Sequence, residues 1–420
     1  MPQAARLLFN PHDRVTTMKM LFPSVAAIAI ATPAAAAAQE LVLNPLAEAR
    51  LRYEHVEQES LPLDADALTL RARAGLSASS GAFTALVQAQ GTLAIVDEYN
   101  DGLHGPATRP LVADPENLAL YRAQLQYRTE PLTLTAGRQV LALQDERFVG
   151  NAAFRQNAQT FDALRAEITP AADLKADLAY AWNVRTIWGE DGLGARQTGV
   201  SGDNLFANLS WTNSLGTLTG FAYLVDQDEP EVQGFRLSSQ SYGVRFAGAQ
   251  PLGPALRLGY QASYATQSDY RRNPNDYQAD HWLADATLEA GALKLNAGYE
   301  VLGADDGTPL TSFQFPLGSN FKFQGWADKF LTTPPNGLRD LYGGVAYGWK
   351  GVGPFATMGL QAAYHRFTSD RPSLDYGDEL DLLASAGLGK VQLSARYAQY
   401  WADQFDSDTS KLWLQMDWSY

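Results

Sequence analysis

The segment QDERFVGNAAFRQNAQTFDALR, residues 144–165, concentrates side chains that could do chemistry. Its acids, arginines and amides could serve acid–base catalysis, bind a carbohydrate, or face water in a loop. Asp145 and Glu146 are adjacent, so in a strand they would point to opposite faces. Two acids that flank one glycosidic bond usually come from separate elements, and the pair is therefore a weak candidate for glycosidase or lyase chemistry.

Histidine and cysteine give little support to an enzyme. The chain has five histidines and no cysteine, which excludes disulfides and thiolate sites. His104 lies in the Gly/Pro segment DGLHGPA, and His281 precedes Trp282, with no evident nucleophile beside either. No HExxH, phosphate-loop or dinucleotide motif occurs. We therefore expect no catalytic residues, no cofactor and no metal, and an enzyme acting on carbohydrate is the weaker alternative.

Apolar and polar residues alternate in many short segments, which is the pattern of β-strands. In the C-terminal stretch KLWLQMDWSY, Leu412, Leu414 and Met416 fall on one face. Lys411 and Gln415 fall on the other. About 18 such segments can be counted, namely 46–57, 66–79, 82–97, 117–129, 132–140, 158–169, 173–187, 203–213, 217–227, 239–249, 255–268, 280–290, 292–303, 338–349, 354–368, 378–388, 390–402 and 409–420.

The connections between these segments alternate between short and long. The short ones are SGA, TEP, TPAAD, NSLG, QPLGP, GA, KGVG and GLGK, and the long ones include 98–116, 141–157, 188–202, 228–238, 269–279 and 304–337. Short periplasmic turns and long extracellular loops are typical of outer-membrane barrels. We therefore expect an all-β, transmembrane antiparallel β-barrel of about 18 strands, rather than a soluble β-rich carbohydrate binder.

Such a barrel explains the composition, because only one face of each strand must be apolar to meet lipid. Aromatic residues near strand ends are expected to form interfacial girdles: Tyr180, Trp182, Trp211, Trp282, Trp349, Trp401 and Trp418. A barrel of about 18 strands is too wide to be filled by its own side chains and belongs to the porin size class. Strand number therefore favours a transport function.

The N-terminus has the layout of a secretory signal peptide. Lys19 precedes an apolar run at 21–31, and small residues follow it. This run is shorter than a membrane-spanning helix needs. We therefore expect residues 1–38 to be a signal peptide and residues 39–420 to form the barrel, with Met18 as an alternative start. An N-terminal membrane anchor is the weaker alternative.

The chain is acidic, with a formal net charge of −14. Cleavage of the signal peptide would remove Arg6, Arg14 and Lys19 but only one acid, Asp13, and would leave the protein more acidic. Such a chain is a poor binder of the nucleic-acid backbone, and we expect no nucleic-acid partner.

If the apolar face meets lipid, the opposite face lines the lumen. That register contains Arg50, Arg52, Arg71, Arg73, Arg122, Arg165 and Arg396, among other bases. Arginine stays charged at any relevant pH, and its fork pairs with carboxylates, so these residues could pass anions. Acids such as Glu48, Asp177 and Asp417 share the register, and the arginines could equally brace the wall. The sequence leaves both roles open.

Two segments resemble a known family. GRQVLALQDERFVGNAAFRQNAQTFDALR, residues 137–165, and QGWADKFLTTPPNGLRDLY, residues 324–342, are similar to the bacterial alginate export family of outer-membrane porins. The resemblance implies an 18-stranded barrel whose electropositive pore passes an anionic uronate polysaccharide outward. Carried over by motif position, it implies pore or constriction roles for Arg138, Asp145, Arg147, Arg155 and Arg165, and it places Asp328, Lys329 and Asp340 in a long ordered loop.

Together these observations predict a porin in the outer membrane of a Gram-negative bacterium. It is expected to pass an anionic solute by passive diffusion, first of all an alginate-like uronate polysaccharide or oligosaccharide. The alternatives are a general or small-molecule uptake porin and, more weakly, an outer-membrane enzyme acting on carbohydrate. Expected partners are outer-membrane lipid, the anionic polysaccharide or another anionic solute, and periplasmic secretion proteins.

Overall fold

A computed structural model describes residues 40–420, and the expected signal peptide at 1–38 lies outside these described residues. The described chain forms 18 strands. They are β1 Val42–Gln58, β2 Ala65–Ser80, β3 Phe83–Glu98, β4 Asn117–Arg128, β5 Leu132–Gln139, β6 Thr160–Ala171, β7 Leu174–Arg185, β8 Gly199–Thr212, β9 Thr217–Val225, β10 Ser239–Gly253, β11 Leu256–Asp269, β12 Gln278–Ala290, β13 Leu293–Leu302, β14 Leu338–Val352, β15 Phe355–Thr368, β16 Asp375–Leu388, β17 Val391–Ala402 and β18 Thr409–Ser419. Every predicted strand is present, with ends shifted by a few residues.

Strand order follows chain order, and every neighbouring pair is antiparallel. The last strand pairs with the first, with Glu48 opposite Ser419 and Gln58 opposite Thr409. Because this ladder is closed, no strand edge presents unpaired peptide groups to hydrocarbon. The expected transmembrane antiparallel β-barrel is confirmed.

The connections differ in length between the two ends of the barrel. One end carries only tight turns, such as 81–82 and 291–292, and corresponds to the periplasmic end of an outer-membrane barrel. The other end carries the long connections 99–116, 140–159 and 303–337. Three connections at that end are shorter than the rest, namely 59–64, 369–374 and 403–408. Among residues 40–420, no helix is long and apolar enough to cross a membrane.

The outer face of the wall is apolar and exposed. Val87, Leu125 and Leu164 expose 53–56% of their surface, although they lie within strands. In a soluble protein such a belt would be an aggregation surface, whereas here it faces lipid. The expected girdle residues Tyr180, Trp182, Trp211, Trp282, Trp349 and Trp401 are exposed, and Trp418 is half-buried.

The hydrophobic core lies inside the barrel. Loops 140–159 and 303–337 fold inward, and their buried apolar side chains pack against the inner wall. Phe148, for example, contacts Phe313 and Phe315 with ring centroids 5.9 and 4.9 Å apart. A wall of this many strands cannot fill its own lumen. The side chains of the two loops therefore fill part of the lumen that the wall side chains cannot fill.

We predict that Leu164→Arg destabilises the barrel. A charge on the lipid face costs about 2–4 kcal/mol at the bilayer midplane, because hydrocarbon does not solvate it. The free energy of unfolding in lipid bilayers would be measured by denaturant titration. Leu193→Arg is the matched control, since Leu193 is 79% exposed but lies in loop 186–198 outside the strands. Equal costs for the two variants would contradict the lipid-facing assignment.

Candidate functional site

The two inward loops contact each other along the lumen. Val149 and Leu317 form a parallel bridge, and the Gly150 N–H donates to the Leu317 carbonyl at 2.9 Å. The rings of Phe154 and Phe321 stack, with centroids 3.3 Å apart and planes within 7°. Residues 140–159 and 303–337 therefore form one packed unit, called here the lumen insert.

The RQN element of the 144–165 segment ties the lumen insert to the wall. Gln156 Nε2 donates to Thr69 Oγ1 on β2 at 2.8 Å. Asn157 Oδ1 accepts hydrogen bonds from Gln90 Nε2 at 3.0 Å and Thr92 Oγ1 at 2.8 Å, both on β3. All five side chains are buried. The amide side chains of Gln156 and Asn157 are thus bound to fixed partners in the wall.

Arg147 binds the insert to the opposite part of the wall. Its Nε donates to Glu300 Oε1 and its Nη2 to Gln324 Oε1, each at 2.8 Å, and its guanidinium lies 3.7 Å from the Phe315 ring centroid. His281 Nε2 is 2.7 Å from the same Glu300 oxygen. Arg147 is only 2% exposed. The guanidinium of Arg147 is therefore bound to protein partners, which is consistent with a role in bracing the loops against the wall.

Arg155 belongs to a second buried network, in which Asp328 Oδ2 accepts from Arg155 Nη2 at 2.9 Å and from Lys411 Nζ at 3.0 Å. Burial acts to raise the pKa of Asp328, but attraction by Arg155 and Lys411 outweighs it and holds the pKa below its ordinary value of 3.8. Burial acts to lower the pKa of Arg155, and attraction by Asp328 and Asp114 raises it above its ordinary value. Both groups are therefore charged at neutral pH.

Arg50 and Arg52 face the lumen from β1 and hold the tip of the insert. Arg50 Nη1 donates to the carbonyls of Ala153 and Phe154 at 3.0 Å, and its Nε donates to Asp417 Oδ1 at 2.7 Å. Arg52 also donates to the Phe154 carbonyl, and its Nε and Nη2 donate to Gln415 Oε1 at 2.9 and 2.7 Å. Arg52 is 1% exposed, whereas Arg50 also lines a cavity.

Arg71 and Arg73 continue the basic face on β2 and share one acid. Arg71 Nη2 lies 3.3 Å and Arg73 Nη1 2.7 Å from Glu48 Oε1. Arg122 on β4 donates to Gln88 Oε1 at 3.0 and 2.6 Å and, within residues 40–420, pairs with no carboxylate. This side of the inner wall therefore carries more positive charge than its acids offset.

Arg165 and Asp145 lie on other parts of the inner surface. Arg165 is bidentate on Asp177, with Nε and Nη2 at 2.9 and 2.6 Å, and it also lies 3.4 Å from Glu167. Asp145 Oδ2 is 3.3 Å from Arg245 Nη2 on β10. Both sequence-predicted residues thus have ion-pair partners across neighbouring elements, at a distance from the arginines of β1 and β2 along the sheet.

Arg138 lies on the other side of the wall. It pairs with Asp162 across β5 and β6, in the register that also carries the exposed Leu134 and Leu164, whereas Gln139 points inward. Its Nε and Nη2 donate to Asp162 at 2.8 and 2.9 Å. The expected pore role came from motif position and did not use strand register, and the structure places this residue on the outer face.

Two further positions differ from the expectations. Strict alternation along β4 predicts that Tyr121 and Arg122 lie on opposite faces, but a β-bulge skips Tyr121 in the pairing with β3. It is buried, with the Arg73 guanidinium 3.8 Å from its ring centroid. Asp340, implied to lie in a long loop, is part of β14 and lies 2.9 Å from His365 Nδ1. Lys329 does lie in loop 303–337, as implied.

Arg396 on β17 is one of the bases in the predicted lumen register, but the sequence alone does not distinguish it from the others. Within residues 40–420 it has no hydrogen-bond or ion-pair partner. Its guanidinium lies 4.9 Å from the ring centroid of Trp326 and 5.6 Å from that of Phe154. It lines a cavity of about 830 Å³ together with Arg50, Arg155, Gln415 and both aromatic rings. An unpaired guanidinium between two rings is suited to bind a small anion.

The described histidines all contact carboxylates. His55 Nδ1 lies 2.9 Å from Asp66, and His104 Nδ1 lies 3.1 Å from Asp101. His281 and His365 contact Glu300 and Asp340, as described above. These pairs account for the histidines as structural residues. The half-buried His55 and the exposed Glu57 and Asp64 have their ligand atoms within 4.8 Å of one another, but none of the three lines the cavity.

The fold is that of known outer-membrane porins of the OprD family. OccAB4 of Acinetobacter baumannii matches with a TM-score of 0.67 and 14% identity, over 91% of this chain and 98% of that chain. OccK9 of Pseudomonas aeruginosa matches with a TM-score of 0.70 and 14% identity, over 90% of this chain and 98% of that chain. OpdK of Pseudomonas aeruginosa, in a structure with vanillate, matches with a TM-score of 0.64 and 11% identity, over 90% of this chain and 98% of that chain.

Because the identities are 11–14%, these structural matches show the fold alone. No family model matches the chain, and no curated protein matches it in sequence. The resemblance to the alginate export family therefore depends on the two quoted segments alone. The closed barrel and its apolar outer belt place the protein in the outer membrane of a Gram-negative bacterium.

We predict that Asp328→Asn loosens loop 303–337. Removing the carboxylate charge leaves Arg155 and Lys411 buried without their shared partner, which costs about 3–5 kcal/mol. Hydrogen exchange of the loop amides in the folded barrel would measure this. Asp306→Asn is the control, because Asp306 accepts hydrogen bonds from Thr308 and Thr311 of the same loop and, within residues 40–420, forms no ion pair. Unchanged protection in Asp328→Asn would show that the buried network does not hold the loop.

We predict that low pH loosens loop 303–337 in the unaltered protein. Folding lowers the pKa of Asp328, so its stabilising contribution is fully present above its ordinary pKa of 3.8 and is lost as the pH falls further. Protection of the loop amides should therefore decline below about pH 4 in the unaltered protein. In Asp328→Asn this part of the pH dependence should be absent.

Proposed function

We propose that the protein is a passive outer-membrane channel for small anionic solutes, with carboxylates as the preferred class. The observation that carries the proposal is Arg396, an unpaired guanidinium that faces a cavity inside the barrel. Arg50 and Arg155 line the same cavity. A carboxylate there would meet a planar fork of N–H donors whose charge does not depend on pH in the relevant range.

The rest of the basic wall supports a path for anions. Arg50 and Arg52 are two residues apart on one strand and thus about 7 Å apart along it. Arg71 lies opposite Arg50, and Arg73 follows on the same face of β2. Arg52, Arg71 and Arg73 are themselves buried, so they raise the positive potential of the wall and do not contact a solute directly. An anion would be held by Arg50, Arg155 and Arg396, which line the cavity.

The size of the cavity favours a small molecule over a polymer. At about 830 Å³ it falls within the range of pockets that hold a single small ligand. The lumen insert occupies space that a polysaccharide chain would need. OpdK, one of the structures that share this fold, was solved with vanillate, an aromatic carboxylate. The same ligand chemistry fits a guanidinium flanked by Phe154 and Trp326.

An alginate-like uronate polymer or oligosaccharide is the second candidate, because residues 137–165 and 324–342 resemble the alginate export family. A uronate carries the same carboxylate, so the basic wall suits both cargoes. Periplasmic secretion partners belong to this second candidate, since outward transport of a polymer needs a supply from the periplasm. A small-solute channel needs no such partner, and the lumen insert favours it.

We predict anion preference in planar bilayers and its weakening by Arg396→Gln. Loss of the unpaired charge should lower the chloride-to-potassium permeability ratio roughly twofold or more, since a cationic lining raises the local concentration of anions. Reversal potentials in a potassium chloride gradient measure this ratio. Arg138→Gln is the matched control, because Arg138 lies on the outer face and should leave the ratio unchanged. Cation preference in the unaltered channel would refute the proposed function.

A further inference from the structure

One buried carboxylate fixes the peptide that carries Trp326. Glu379 on β16 is 0% exposed, and its Oε1 accepts the backbone N–H groups of Trp326 at 2.5 Å and Ala327 at 2.7 Å. A Cβ on Gly325 would lie 2.4–2.5 Å from the same carboxylate, and the φ of this glycine is +75°. Only glycine therefore permits this approach of the loop to Glu379.

The neighbouring residues are also anchored, so the indole is what this peptide presents to the cavity. Gln324 and Asp328 bind arginines of the 140–159 loop at 2.8 and 2.9 Å. The Trp326 ring stacks on Phe321 with centroids 6.4 Å apart and lies 4.9 Å from Arg396. The position of this ring relative to the guanidinium is thus set by the backbone that Glu379 holds.

We infer that Glu379 is a positioning residue for solute selectivity. It holds Trp326 beside Arg396, so that a flat aromatic carboxylate can lie against the ring while its carboxylate pairs with the guanidinium. An aliphatic carboxylate such as acetate gains the ion pair without the ring contact. Glu379 itself touches no solute. The inference rests on the proposed function. It adds to that function a preference for aromatic over aliphatic carboxylates.

The test compares benzoate and acetate as blockers of chloride current in planar bilayers. Glu379→Met keeps the length of the side chain but removes the acceptor for two buried N–H groups. We expect benzoate affinity to fall about fivefold or more, the scale of a lost aromatic contact, with acetate affinity and the chloride-to-potassium ratio unchanged. Glu379→Gln retains an acceptor oxygen and should retain most of the benzoate affinity. Gly325→Ala should reproduce the loss by pushing the peptide off Glu379.

Trp326→Leu supplies the control for mechanism. It should lower benzoate affinity as Glu379→Met does, and adding Glu379→Met to it should cause no further loss, because both changes remove one contact. Further loss in the double variant, or equal losses for acetate and benzoate, would overturn the positioning role. So would a Glu379→Gln variant as weak as Glu379→Met. An unaltered channel without anion preference would instead overturn the proposed function. Heat-dependent gel mobility verifies that each variant is folded.

Discussion

Hydrocarbon offers no hydrogen-bond partner to a peptide group, and the pairing of β18 with β1 is the contact through which the chain meets this constraint. Closure at 18 strands fixes the circumference of the wall. It also departs from the usual arrangement of a globular protein, since the outer face of the wall is apolar and exposed while charged residues of the wall face inward. The resulting lumen is too wide for wall side chains to fill, and the long loops must fold into it.

Charged side chains hold these loops because the inner wall is polar. Arg147 with Glu300, and Arg155 with Asp328 and Lys411, are ion pairs removed from water, and each carries additional hydrogen bonds or ring contacts that offset desolvation. The arginines of the lumen therefore divide into two groups. Those that hold the insert are paired with protein groups, whereas Arg396 has no hydrogen-bond or ion-pair partner within residues 40–420. Arg50 and Arg155 belong to the first group and also line the cavity that Arg396 faces.

Sequence alternation was sufficient to predict the wall, because lipid on one side and water on the other impose period two on every strand. It could not predict Tyr121, since a single-residue bulge inverts the register without a change in composition. It misplaced Arg138 because the motif, not the register, suggested its role. The inward fold of residues 303–337 depends on contacts far apart in sequence, and so the special position of Arg396 could not be read from its own strand. The charged and amide side chains of residues 144–165 could be identified from the sequence, but their hydrogen-bond partners lie on distant strands and could not.

The cavity lies beside the junction of the chain's two ends. Arg50 binds Asp417 across a sequence separation of 367 residues, and Arg52 binds Gln415 across 363. Most other contacts in the wall join neighbours in the sequence, whereas these join its extremes and carry the highest loop-closure entropy. The cavity and its basic lining are therefore properties of the finished barrel. A chain without its last strand lacks part of its wall and also Gln415 and Asp417, which orient Arg52 and Arg50, so the basic lining of the cavity forms only when the wall is complete.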